Sequence, residues 1–106
     1  MTDKIVVLTT CESEEEAERI ARSLVEKRLA ACVNILPRAR SIYRWKGAVE
    51  EAQELILLIK SRRDAFEALR AELSKIHSYE VPETIALPIV DGSTAYLAWL
   101  DRELAS

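Results

Sequence analysis

The sequence predicts an α+β fold in which helices pack against one antiparallel sheet and a further helix follows at the C-terminus. Runs rich in β-branched and apolar residues alternate with segments whose apolar residues recur at helical spacing, in the order β-α-β-β-α-β-α. The chain has 106 residues, of which 49% are apolar and 31% charged, enough for a single hydrophobic core. We therefore expect one domain over residues 1–106.

The first two predicted elements are a strand and a helix. "KIVVLTT", residues 4–10, has the β-branched composition of a strand buried on both faces. Ser13 and Glu16 have the spacing of a capping box, in which the hydroxyl accepts the Glu16 amide and the carboxylate reaches back. The helix should extend from residue 13 to residue 29, with an inward-facing stripe of Ala17, Ile20, Ala21, Leu24 and Val25.

A long hairpin is predicted next. "AACVNIL" and "SIYRWKG" form the second strand, with a bend or bulge at Pro37, where the backbone lacks a hydrogen-bond donor. Gly47 marks a turn, and "AQELILLIKS", residues 52–61, forms the third strand, antiparallel to the second.

The second half of the chain repeats the helix-then-strand order. Residues 63–77 form a helix with a stripe of Phe66, Leu69, Leu73 and Ile76, and the helix must end before Pro82. "ETIALPIV" then forms the fourth strand, and residues 91–104 begin with turn residues and continue as a short terminal helix. This order predicts a ferredoxin-like βαββαβ sandwich with strands one and three in the centre and both main helices on one face. The other face would need a different cover.

Composition excludes several classes of protein. The formal charge of −3 and the pI near 5.2 disfavour nucleic acid as a partner. We expect neither a signal peptide nor a membrane span. Two cysteines without a secretory context predict a reducing, cytoplasmic location. Scarce Asn, Gln and Met beside abundant charged residues indicate a thermostable protein.

Four motifs resemble one known family over residues 5–100: "LAACVNIL", "SIYRWKGAVEEAQELILLIKS", "HSYEVPETIALPI" and "YLAWL". They resemble the CutA family, the divalent-cation tolerance proteins. The resemblance implies a ferredoxin-like homotrimer with sheets packed around a three-fold axis, and a link to copper and other divalent metals. It also implies a copper site formed by a cysteine and two adjacent histidines. Here Thr9, Ile76 and His77 occupy those positions, so no obligatory cofactor and at most weak copper or divalent-cation binding are expected.

The candidate metal ligands are His77, Cys11 and Cys32. His77 lies at the predicted end of the second helix, where its imidazole could either satisfy the last carbonyls or bind a metal. Cys11 is predicted in a loop before a helix N-terminus, which would expose the thiol and lower its pKa. Cys32 lies in an apolar strand, where a free cysteine is either a small buried hydrophobe or a soft copper ligand.

A second candidate site is a pocket for a small anion formed by Lys60, Tyr79 and Glu80. The alternative is that these groups point to solvent or make salt links between subunits. The basic and aromatic residues of "RARSIYRWK" fit the alternation of a hairpin strand better than a nucleic-acid surface. Within that stretch, Tyr43 and Trp45 are expected at the subunit interface.

Catalysis has no support in the sequence. With two glycines the chain has no phosphate-binding loop, and neither an HExxH motif nor a recognisable triad is present. We therefore expect a trimer that binds a metal ion or small ligand and is not an enzyme. The alternative is a structural or signalling trimer that resembles ferredoxin-like regulators and has no physiological metal.

Overall fold

The computed structural model describes residues 1–106 and contains one four-stranded sheet with three α-helices. All neighbouring strands are antiparallel, in the order β2-β3-β1-β4, so β1 and β3 are central as predicted. The elements are β1 (Lys4–Cys11), α1 (Glu14–Glu26), β2 (Cys32–Trp45), β3 (Ala48–Arg62), a 3₁₀ turn (Arg63–Ala65), α2 (Phe66–Ile76), β4 (Ile85–Pro88) and α3 (Thr94–Glu103). The α+β prediction is confirmed.

The β2–β3 hairpin is the longest feature of the sheet. Its turn consists of Lys46 and Gly47, whose φ angles of 49° and 83° are both positive, as in type I′ turns. The pairing register shifts between Leu36 and Ala39, beside Pro37, which cannot donate to the ladder. The predicted irregularity at Pro37 is therefore a bulge within one continuous strand.

The main core lies between one face of the sheet and helices α1 and α2. Alternate β1 residues face this core, whereas Val6, Leu8 and Thr10 on the other face are only half-buried. The prediction that β1 is buried on both faces is thus wrong within this chain. The buried core residues are Ile5, Val7, Cys11, Ala17, Ile20, Leu24, Ala30, Leu55, Leu57, Ile59, Leu69 and Leu73.

Helix α3 covers one end of the other sheet face. Asp101 lies 3.2 Å from Lys4 Nζ and 3.0 Å from Arg62 Nη1, which joins α3 to β1 and β3. A second, smaller buried cluster in this region consists of Ala31, Leu100 and Leu104. None of the helices combines the length and apolar character needed to cross a bilayer.

Beyond α3 this sheet face is apolar and accessible. Its exposed side chains include Leu36, Ile85 and Leu87, each 40–49% exposed. Strand β4 is shorter than the predicted residues 83–90, because only Ile85–Pro88 pair with β1. The sheet therefore ends in a short edge strand beside apolar surface that this chain leaves uncovered.

Candidate functional site

A cleft of about 700 Å³ lies between the β2–β3 hairpin and the segment that follows α2. We call it the Tyr79 cleft. Its volume is within the range of small-molecule sites in proteins, about 300–1,000 Å³. The lining residues are Thr10, Ser41, Ile42, Tyr43, Trp45, Glu54, Ser78, Tyr79, Glu80, Val81 and Glu83.

Glu54 and Tyr79 form the most buried polar contact of the cleft. The Tyr79 hydroxyl donates a hydrogen bond of 2.6 Å to Oε2 of Glu54, and Glu54 is only 8% exposed. Burial, together with the bond to Glu54, raises the pKa of the Tyr79 hydroxyl above its ordinary value. The tyrosine therefore stays a neutral donor at physiological pH and orients the carboxylate beside the cleft.

Both ring nitrogens of His77 form hydrogen bonds with backbone atoms. Its Nε2 lies 2.7 Å from the Thr10 carbonyl oxygen, and its Nδ1 accepts a 3.0 Å hydrogen bond from the Tyr79 amide. Because Nδ1 accepts, the ring proton belongs on Nε2, which donates to Thr10. The side chain is also completely buried.

This geometry differs from both interpretations of His77 made from the sequence. The imidazole neither caps α2, whose Leu73 carbonyl receives the His77 backbone amide, nor offers a free nitrogen to a metal. Instead it joins the end of β1 to the segment that carries Tyr79. His77 therefore supports the cleft from behind.

Glu16 is a structural residue of this region whose carboxylate does not complete the predicted capping box. Ser13 Oγ accepts the Glu16 amide at 3.1 Å, which confirms half of the capping box, but the carboxylate accepts the Ser78 amide at 2.8 Å. Burial opposes ionisation, yet the hydrogen bonds from Ser78 and the charge of nearby Arg19 outweigh it, so the pKa of Glu16 lies below its ordinary value. The missed signal is helical spacing: Glu16 precedes Ile20 by four residues and shares the inward face.

Cys11 does not lie in an exposed loop. It is the last residue of β1 and has no exposed surface, and burial raises the pKa of its thiol to about 11. The prediction of an accessible thiol with a lowered pKa is wrong, because the strand continues one residue further and turns this side chain into the core.

The structure does not bring the three predicted metal ligands together. Cys32 begins β2 and is half-buried, with its Sγ 3.7 Å from Asn34 Oδ1. Cys11 pairs across from Leu55 and Cys32 from Lys60, five positions apart on β3 or roughly 17 Å at the usual strand rise. No group of three His, Cys, Asp or Glu side chains suited to a metal ion occurs in the chain.

Only part of the predicted anion pocket is present in the cleft. Tyr79 and Glu80 line it, but Lys60 is six residues from Glu54 on β3, roughly 20 Å away. The Lys60 ammonium instead lies 5.9 Å from the ring centroid of Tyr96. With Glu54, Glu80 and Glu83 in the lining and no Lys, Arg or His, the charge is opposite to that of an anion site.

Tyr43 and Trp45 form part of the cleft wall. They are 42% and 40% exposed, and the Lys46 ammonium lies 5.6 Å from the Trp45 ring centroid. The same ammonium is 3.9 Å from Glu80 Oε1. A role for the two aromatic residues in a subunit interface stays a prediction.

Comparison with known proteins gives concordant results. The family model of the CutA1 divalent ion tolerance protein matches residues 5–103. The divalent-cation tolerance protein CutA of Thermus thermophilus is 56% identical over 95 residues, which cover 90% of this chain and 92% of that protein. Protein CutA of Mus musculus is 48% identical over 93 residues, 88% of this chain but only 52% of the mouse protein. The chain thus spans about half the length of this mammalian relative.

Solved structures agree with the sequence matches. The divalent cation tolerance protein (Cut A1) from Thermus thermophilus has a TM-score of 0.94 and 52% identity, covering 96% of this chain and 99% of that one. CutA from Xylella fastidiosa has a TM-score of 0.95 and 41% identity, covering 98% and 100%. The chain belongs to the CutA1 divalent ion tolerance protein family.

Proposed function

We propose that this chain is a cytoplasmic, non-catalytic homotrimer that binds a small positively charged ligand in the Tyr79 cleft. The observation that carries the proposal is the buried carboxylate of Glu54, held by Tyr79 in a cleft whose only charged lining residues are glutamates. The names of the relatives, which refer to tolerance of divalent cations, support a role connected with cations.

The trimer is supported by the uncovered sheet face. Leu36 on β2 and Ile85 and Leu87 on the short edge strand β4 lie on this face and leave apolar surface exposed at both edges of the sheet. Exposed contiguous apolar surface is typical of an interaction site, and closed symmetric assemblies are the usual way to cover it. Three copies arranged around an axis would cover the face that α3 leaves open.

Tight copper binding is not part of the proposal. A soft copper site requires thiolate or imidazole ligands, but Cys11 is buried and both nitrogens of His77 are hydrogen-bonded. A divalent metal ion in the cleft would have to use carboxylate and hydroxyl oxygens, and we expect it to bind weakly. Because both nitrogens of His77 are hydrogen-bonded, this residue also supports the second candidate function, a structural or signalling trimer without a physiological metal.

Light scattering and calorimetry test the proposal together. We expect a trimer at micromolar concentration and saturable binding of at least one cation among Mn²⁺, Cu²⁺ and spermidine. Glu54→Gln should weaken that binding about tenfold or more, because a charged hydrogen-bond acceptor is lost. Glu51→Gln is the matched control, since Glu51 pairs with Arg40 outside the cleft.

Three results would contradict the proposal. A monomer at these concentrations would show that the chain does not form the proposed trimer. Cation binding that is equally strong in Glu54→Gln would place the site elsewhere. A stable trimer that binds no cation would favour the structural alternative.

A further inference from the structure

We propose that the Tyr79 cleft binds a small organic ammonium ion and that the ammonium group of Lys46, which lies beside the cleft, competes with this ligand for Trp45 and Glu80. This inference rests on the proposed function and specifies its ligand. It assigns a chemical class to the ligand and a competing role to one residue of the hairpin turn.

Lys46 does not line the cleft, but its contacts show how two lining residues can hold an ammonium group. Its Nζ lies 5.6 Å from the Trp45 ring centroid and 3.9 Å from Glu80 Oε1. An aromatic face attracts a cation within about 6 Å of its centroid, and a nearby carboxylate adds direct charge attraction. One wall of the cleft therefore already provides both contacts that recognise an amine.

The hold on Lys46 is weak enough for a ligand to displace it. Lys46 and Glu80 each keep 73% of their side-chain surface exposed, and exposed ion pairs contribute little. Lys46 is itself one of the two turn residues, and its φ angle of 49° is one that Asn or Gly adopts more often. A free ammonium ion can therefore compete for the same ring and carboxylate.

The rest of the lining favours an organic ion over a metal ion. Apolar surface from Ile42, Tyr43 and Val81 lies in the same cleft as Glu54, and the volume of about 700 Å³ accommodates a carbon chain as well as its charged group. Tyr79 engages Oε2 of Glu54, so Oε1 is the oxygen available to a second ammonium group. A metal ion needs several ligands converging at about 2.0–2.6 Å, and no three His, Cys, Asp or Glu side chains of the chain are grouped in a way that suits one.

Calorimetry with spermidine on the assembled protein tests the inference. Replacement of Lys46 by Asn, which tolerates positive φ, removes the competing ammonium and should tighten spermidine binding about 3- to 10-fold. Arg44→Gln removes the same charge from a nearby exposed hairpin position that, unlike Lys46, forms no ion pair with Glu80, and should change affinity less than about twofold. Lys46→Arg keeps a cation at the turn and should bind spermidine like the parent protein.

The outcomes separate this inference from the proposed function. Equal tightening by Lys46→Asn and Arg44→Gln would show an effect of net charge only and overturn the competing role. Mn²⁺ binding that depends on Glu54, without spermidine binding, would overturn the ligand class but leave the proposed function intact. If neither probe binds the trimer, both the inference and cation binding at the cleft are wrong.

Discussion

Replacing Thr9 by Val should make the protein more stable. Thr9 has no exposed surface, and its Oγ1 is a buried polar atom without a hydrogen-bond partner. Burying an unpaired hydroxyl costs about 1–3 kcal/mol in mutational studies. Valine has nearly the same shape and adds an apolar methyl group, so we expect a gain of about 1–2 kcal/mol in the free energy of unfolding.

Ser61→Ala is the matched control for this prediction. Ser61 is also fully buried and lies on the neighbouring strand, but its Oγ donates a 2.6 Å hydrogen bond to the Leu29 carbonyl oxygen. Its removal leaves that carbonyl without this donor and should cost about 1–2 kcal/mol. The two substitutions delete similar hydroxyls and should change stability in opposite directions.

Urea unfolding followed by circular dichroism measures both effects. The midpoint of Thr9→Val should rise without a change in the slope of free energy against urea, and protein concentration must be held fixed because assembly contributes to stability. A Thr9→Val protein that is no more stable than the parent, at an unchanged slope, would refute the reasoning. It would mean that the hydroxyl has a partner, such as a buried water molecule.

Four further predictions concern acid stability, the buried histidine, assembly and heat. Because the pKa of Glu16 is lowered in the folded chain, its carboxylate stabilises the fold above the unfolded pKa of about 4.3, and this stabilisation is lost as pH falls. Glu16→Gln should therefore make the free energy of unfolding less dependent on pH in this acidic range. An unchanged pH dependence would contradict the prediction. His77→Ala should cost about 2–4 kcal/mol in urea unfolding, since it leaves the Thr10 carbonyl and Tyr79 amide without their imidazole partner; a variant as stable as the parent protein would contradict this structural role. Trp45→Ala should shift the trimer toward smaller species in sedimentation velocity. An unaltered trimer would show that Trp45 lies outside the subunit interface. The thermal midpoint should exceed the range of about 45–65 °C typical of mesophilic domains, and a midpoint within that range would remove the inference of thermostability.

Local patterns in the sequence determined most of the fold. The stripe through Ile20 and Leu24 predicts α1 because helical spacing is a property of neighbouring residues, and the order of elements with right-handed crossovers predicts the central pair of strands. The irregularity at Pro37 also follows from local chemistry, since proline lacks a donor. Strand ends were less predictable: β1 continues to Cys11 because β3 supplies a pairing partner there.

The candidate site depended on contacts that only the tertiary structure creates. Tyr79 meets Glu54 from 25 positions away, and Ser78 meets Glu16 from 62 positions away. Their residue types identify them as polar but not as partners, because a hydrogen bond depends on distance and direction after the helices have packed on the sheet. The sequence predicted Tyr79 and Glu80 as site residues. In the structure Glu54, and not Lys60, lies beside them, so the pocket is acidic where a basic one was predicted. The reason is that the strand register, which is fixed by burial of the apolar face, places Lys60 at the other end of β3.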